Sequence, residues 1–236
     1  MNGLWSKVLR HMFSRKTLIM YRYSMSDVAS SEYEPQDGLI FRELSGGDYQ
    51  ALERLLTAQK AKEAVFKPVF DIPGAQERLG KGGYCFICED RGRIVGYTWF
   101  ASREGYLMEV QATIKLPEGQ VYAYNSYVMH DYRGSHIFRN LLIAGARVLQ
   151  PRGFTGGLAV AMNWNAASRE TLSKAGFSEI GLLTVGYFLS FRYMINTCEG
   201  VTLLRGAGPF EFYRKLFGKF TTALSMAGTA LRTWLV

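Results

Sequence analysis

Cysteine is scarce in this chain, with three in 236 residues, at Cys85, Cys88 and Cys198. A sparse and odd count excludes a disulfide framework and favours a reducing compartment. Histidine is equally rare, at three, and no second Cys/His cluster accompanies the Cys85–Cys88 pair, so a metal site is not expected. That pair sits in Gly83–Glu89, which reads as a strand, and residues three apart on a strand point to opposite faces. Long apolar runs are absent too. Nothing approaches the roughly 18 residues of a membrane-spanning helix, and Arg10, His11, Arg15 and Lys16 break any signal-peptide core. These absences lead to an expectation of a cytoplasmic protein. Acidic residues are in deficit, 20 against 28 basic, for a net charge of +8. Such a balance suits an anionic partner: nucleic acid, a phosphorylated cofactor or an anionic membrane. The basic residues are dispersed, and no helix-turn-helix, zinc or RNP-like pattern appears, so nucleic acid is not expected.

What is present is a core-forming composition, 48% apolar and 20% charged, enough for one large domain with extensions. Residues 2–13 place Leu4, Trp5, Val8, Leu9, Met12 and Phe13 on one helical stripe. Residues 17–23 read as a strand, and the Ser/Asp/Glu-rich stretch 24–37 as a linker. The main domain then runs over 38–196. Its order is a strand (39–44), two helices (48–59 and 73–80), a four-strand meander (83–89, 94–101, 107–115, 121–129), a helix (135–150), a strand (156–162), a helix (165–175) and closing strands (177–196). This order predicts an α/β (α+β) domain with a mixed, mostly antiparallel sheet flanked by helices. The strands 121–129 and 156–162 should be parallel neighbours, because a helical crossover joins them. Residues 197–236 form an extension, with a helix over 209–235 bearing Arg214, Lys215 and Lys219 beside an aromatic stripe. For both end helices two readings stay open: packing on the domain, or lying on an anionic membrane surface, peripherally at its inner face.

The most telling stretch is Tyr127-Val-Met-His-Asp-Tyr-Arg-Gly-Ser-His-Ile-Phe-Arg-Asn-Leu-Leu142. A strand passes through Arg-Gly into a helix, so several backbone N–H groups point out of the helix start. With the helix dipole and Arg133 they make a seat for a phosphate or pyrophosphate. A second unit follows, strand 156–162 and then Asn165-Ala-Ala-Ser168 and Lys174-Ala-Gly-Phe177.

These motifs, in this order, and the hairpin Glu89–Tyr97 resemble the GNAT superfamily of acyl-CoA-dependent N-acyltransferases over residues 38–190. The resemblance implies acetyl-CoA or another acyl-CoA as cosubstrate and a small-molecule amine as acceptor. The pyrophosphate would rest on the backbone of Arg133, Gly134, Ser135, His136, Ile137 and Phe138. The pantetheine arm would pair with Tyr127, Val128 and Met129 where the two parallel strands splay, and Asn165 and Ser168 would face the far end of the arm. Two departures stand out. His136 and Phe138 replace glycines that the family often has, and Leu172 stands where it often has a tyrosine general acid.

Amide formation from a thioester needs the amine deprotonated, the carbonyl polarised and the two held together. A backbone N–H near Val128 or Met129 would polarise. Strand 121–127 has no carboxylate; Asn125 occupies the place where a base would be sought, and Glu109, taken to lie on the neighbouring strand, is the remaining candidate. Tyr122 and Tyr124 share one face and read as pocket walls; Tyr124 joins Glu109 and Asn125 as a candidate for the chemistry. The acceptor reading extends to an amino sugar or an envelope precursor. The competing reading is a module that keeps the fold and binds acyl-CoA or scaffolds a complex without turnover.

Overall fold

The computed structural model describes residues 13–32, 38–63, 67–188 and 191–204. The helix expected over 209–235 and all but the last residue of the one expected over 2–13 lie outside the described residues.

In chain order the elements are β1 (Phe13–Ser24), α1 (Met25–Ser30), β2 (Leu39–Glu43), α2 (Tyr49–Lys62), α3 (Ile72–Gly80), β3 (Tyr84–Asp90), β4 (Arg93–Ala101), β5 (Glu104–Leu107), β6 (Ala112–Lys115), β7 (Gln120–Val128), α4 (Ile137–Leu149), β8 (Gly156–Met162), α5 (Ala166–Lys174), β9 (Ser178–Phe188), β10 (Phe191–Asn196) and β11 (Thr202–Leu204). An eight-stranded sheet runs β10-β9-β1-β8-β7-β4-β3-β2. Its neighbours are antiparallel except β7 and β8, which are parallel. The mixed, mostly antiparallel sheet with flanking helices is therefore as expected.

Three features differ from the sequence reading. Residues 13–24 are not a flank: β1 lies between β8 and β9 inside the sheet. Its side chains alternate, with Leu18 and Met20 buried in one apolar cluster and Ile19, Tyr21 and Tyr23 in another. A strand buried on both faces belongs to the middle of a sheet. The supposed linker begins with a helix, α1, whose N-cap Ser24 accepts from the Asp27 amide and whose Met25 and Val28 are buried. Finally, the meander leaves the main sheet. The segment expected as one strand, 107–115, folds back on itself at a turn containing Gln111 (φ 50°), and β5 and β6 join β11 in a separate three-stranded sheet. That small sheet packs Leu107, Ala112 and Ile114 against Leu18, Met20, Tyr122 and Leu158.

Helix α4 carries the expected apolar stripe, with Ile137, Leu141, Leu142, Ala144 and Leu149 buried against the sheet. Each of the buried leucines and Ile137 contributes about 1.5–3 kcal/mol. At the start of α2, Asp48 is held from several sides. Arg42 donates to both carboxylate oxygens at 2.7 and 2.8 Å, and the Ser45 amide and hydroxyl each donate at 2.7 Å. Arg42 also donates to Glu89 at 2.5 Å. The Arg42 hydrogen bonds hold the Asp48 carboxyl well below the usual carboxylate range. A depressed folded-state value gives stabilisation that is complete above the unfolded value near 3.9 and fades as pH falls through the folded one. Asp48→Asn should therefore lower stability by about 2 kcal/mol at pH 7, a figure reduced for the partial exposure of Arg42. The gap from wild type should narrow between about pH 5 and pH 2. Urea melts across that range check it; a gap constant with pH would mean that the Asp48 charge is not its source.

Candidate active site

The β7–β8 ladder is short. It pairs Gln120 with Gly156, Val121 with Gly157, Tyr122 with Leu158 and Ala123 with Ala159, then stops. β7 continues to Val128, still paired on its other side with β4 through Tyr124–Trp99, Tyr127–Tyr97 and Val128–Gly96. The register on that side shifts between Tyr97 and Trp99, because β7 carries an extra residue there. Asn125 takes a left-handed conformation (φ 48°), which asparagine tolerates better than most residues. Ser126 and Thr98 then share a hydroxyl hydrogen bond at 2.7 Å. A bulge bends its strand and strengthens its twist, so β7 leaves β8 just past Ala123 and a gap opens beside Tyr124–Val128.

The loop after β7 ends in an uncapped helix. The Tyr132 and Arg133 amides are used locally, donating to the Met129 and His130 carbonyls at 2.9 and 3.1 Å. Gly134 (φ 85°) and His136 (φ 58°) are both left-handed, and His136, the N-cap of α4, makes no side-chain cap. Among the described residues, no acceptor receives the His136, Ile137 or Phe138 amides, and the first α4 amide with a backbone partner is that of Asn140, to the His136 carbonyl. The Ser135 hydroxyl donates to the Tyr132 carbonyl. The helix start thus presents donors together with the positive end of its dipole.

Arg133 points back over the gap. It donates through Nε to the Val128 carbonyl at 3.2 Å, pairs through Nη2 with Glu63, and lies 5.9 Å from the Tyr127 ring centroid. The Tyr127 hydroxyl donates to the same Glu63 oxygen at 3.3 Å. Glu63, next to the last residue of α2, is a carboxylate that sequence reasoning missed; no local pattern ties it to a loop seventy positions on. The Met129 amide is committed to the Val95 carbonyl at 2.9 Å, so of the two amides considered for polarising a carbonyl only that of Val128 remains.

The other candidates divide. Tyr122 and Tyr124 do share a face, their rings stacked at 5.5 Å and 9°. Burial raises the Tyr124 hydroxyl, with Arg78 opposing the rise, so Tyr124 stays protonated at neutral pH and is a donor. Glu109 lies in the β5–β6 turn rather than on a strand; after burial, its charge is the next cause raising the Tyr122 hydroxyl. Asn125 forms the bulge, and its Nδ2 is buried without a partner. Asn165 and Ser168 are together at the start of α5, where Asn165 Oδ1 accepts the Ser168 amide at 3.2 Å as a helix cap. Leu172 is core, 2% exposed. His130 is exposed beside Asp131, 3.7 Å away. Cys85 and Cys88 are buried free thiols, and burial pushes Cys88 up to about 12.

No curated protein matches the sequence. Among solved structures, an acetyltransferase of the GNAT family from Novosphingobium aromaticivorans is similar at 14% identity and a TM-score of 0.47, covering 73% of this chain and 63% of that one. An aminoglycoside acetyltransferase from an uncultured soil metagenomic sample is similar at 19% identity and 0.47, over 60% of this chain and 90% of its own. The ribosomal-protein-alanine N-acetyltransferase of Brucella melitensis is similar at 21% and 0.44, over 59% and 84%. The model of the acetyltransferase (GNAT) family matches residues 49–177. That match spans more than half of the sequence, from the first residue of α2 to Phe177, and the chain belongs to the GNAT acetyltransferase family.

Proposed function

We propose that the chain is an acyl-CoA-dependent N-acyltransferase whose donor enters the gap between β7 and β8. One observation carries the reading: the parallel ladder stops at Ala123–Ala159 while β7 runs on to Val128, next to a helix start whose first amides have no acceptor among the described residues. An unpaired strand edge suits the pantetheine arm, which pairs as an added strand, and the His136–Phe138 amides suit a diphosphate. Gly134 and Ser135 shape the loop below them, and Arg133 adds positive charge. Asn165 and Ser168 would border the far end of the arm. The bound thioester supplies the activated acyl group.

The chain's residues have three tasks. The Val128 amide would polarise the thioester carbonyl. Glu109, acting through water, would take the amine proton, and the Tyr124 hydroxyl would hand one to the leaving sulfur as the C–N bond forms and the C–S bond breaks. The bulge at Asn125 holds the gap open. The finer reading is an amino-sugar or envelope-precursor acceptor, with 2–13 and 209–235 bringing the enzyme to an anionic membrane face; it rests on the sequence of those segments alone.

Calorimetry with acetyl-CoA and a thiol-release assay over an amine panel test the proposal, with micromolar binding and turnover of at least one amine expected. Binding without turnover would favour the second reading, a non-catalytic acyl-CoA-binding module. Its motivation is the burial of Leu172 where the family often carries an acid. Absence of acetyl-CoA binding would defeat both.

A further inference from the structure

Arg78, in the last turn of α3, acts on the Tyr124 hydroxyl, but its charge has no anionic partner among the described residues. Its guanidinium carbon lies 4.5 Å from the Phe70 ring centroid, 5.2 Å from Trp99 and 5.4 Å from Tyr124. It forms no ion pair among the described residues. Among the described residues nothing accepts from its buried Nη1, and the same holds for Nε1 of Trp99, which is fully buried.

The rings account for the faces of the guanidinium, where the quadrupole attracts the cation. The Tyr124 hydroxyl is close enough to accept from the guanidinium, but Nη1 is left without an acceptor among the described residues. A buried donor without an acceptor is costly, and here two occur around one cationic cage. The group that complements two donors and a net positive charge is a planar anion with two oxygens, a carboxylate. The cage is also in the right place. Trp99 and Tyr124 are register partners across β4 and β7, one residue beyond the last β7–β8 pair at Ala123–Ala159, so the cage borders the inner end of the gap. Phe70, Arg78 and Tyr124 are half-buried and form its mouth.

Building on the transferase reading, we infer that Arg78 and Trp99 form a subsite for a carboxylate carried by one of the two reacting molecules. The carboxylate belongs either to the acceptor, an amino-acid-like amine, or to the far end of a dicarboxylic acyl chain on the donor. Arg78 binds it as a salt bridge, Trp99 adds one N–H, and the aromatic rings exclude water around the pair.

The test uses the full chain and begins with calorimetry on acetyl-CoA, which reports on the gap independently of the subsite. Two kinetic arms follow. The acceptor arm compares phenylalanine with phenethylamine, using acetyl-CoA. The donor arm compares succinyl-CoA with butyryl-CoA, using one neutral amine. In one arm the carboxylate member should win in kcat/KM by about 10- to 100-fold, the worth of a charge-assisted hydrogen bond. Arg78→Gln should collapse that ratio to near one, mainly through KM, and Arg78→Lys should restore part of it. Trp99→Phe, which keeps a ring and loses the donor, should reduce it several-fold. Binding of phenylacetate against phenylacetamide reads the subsite without any turnover, and wild type should prefer phenylacetate while Arg78→Gln does not. Acetyl-CoA binding with no carboxylate preference in either arm would overturn the subsite and leave the transferase reading standing. A missing acetyl-CoA isotherm would overturn that reading, and the phenylacetate pair would then decide the subsite alone. A preference that survives in Arg78→Gln would likewise sink the assignment.

Discussion

Gly145→Ala should destabilise the protein, against the usual sign for such a change inside a helix. Alanine in place of glycine at a helix interior is normally worth about 1 kcal/mol in favour of folding. Gly145 sits in the middle of α4, on the side that meets the sheet. A Cβ there would stand 2.6 and 2.7 Å from the Phe100 ring and 3.3 Å from Phe86. Phe100 is 1% exposed and packed edge-on against Phe86 at 5.6 Å, so the ring has nowhere to swing. Either α4 lifts from the sheet or the ring leaves its rotamer, and overpacking of this kind costs about 1–3 kcal/mol. The net expectation is a fall in Tm of several degrees, at about 2–4 °C per kcal/mol for a chain of this size. Gly145→Val should be worse, since a branched side chain meets the same wall. Two controls separate the clash from helix propensity. Gly80, at the end of α3, has nothing within 4 Å of a built Cβ, so Gly80→Ala should be neutral or mildly stabilising. Adding Phe100→Leu to Gly145→Ala should recover part of the loss. If Gly145→Ala raises Tm, the close approach of α4 to β4 is wrong, and so is the height of the α4 start relative to the β7 edge.

How much of this was legible beforehand depended on distance along the chain. The passage from β7 into α4 was readable because its signals are adjacent: an apolar strand, Arg133-Gly134, then the stripe Ile137, Leu141, Leu142. The parallel pairing of β7 with β8 followed from one helical crossover. In the sequence Asn125 reads as the residue that stands where a base is sought; its left-handed backbone and the bulge it makes emerge only in the folded sheet. The sequence places Glu109 on a strand because 107–115 is rich in β-formers, and no glycine or proline marks the turn that Gln111 makes. The central position of β1 rests on partners such as Leu18–Met162 and Leu18–Leu183, and no local pattern specifies those. The Glu63–Arg133 pair and the cage around Arg78 were invisible for the same reason: each joins elements that only the folded sheet brings together.

The second large effect concerns the loop before α4. Gly134→Val should weaken acetyl-CoA binding by about 10- to 100-fold while leaving the fold nearly intact. Gly134 has φ 85°, where a β-branched residue is strained by about 1–2 kcal/mol or more. Space is not the obstacle, since no atom lies within 4 Å of a built Cβ. The loop therefore relaxes by changing its backbone, and that turns the His136, Ile137 and Phe138 amides away from a common point. Losing the equivalent of one hydrogen bond to a charged group, at about 1.5–3 kcal/mol, gives the expected range. His136 supplies the opposite test. It too is left-handed, at φ 58°, but as a non-glycine residue it carries the strain already. His136→Gly should relieve about 1 kcal/mol, raise Tm slightly, and leave acetyl-CoA affinity unchanged or improved if the imidazole makes no phosphate contact. A loss of affinity in His136→Gly with the Tm gain intact would show instead that the imidazole donates to the diphosphate. The two variants together judge the seat itself. Should Gly134→Val bind acetyl-CoA as wild type does, the diphosphate does not rest on the start of α4, and the donor must lie elsewhere in the gap.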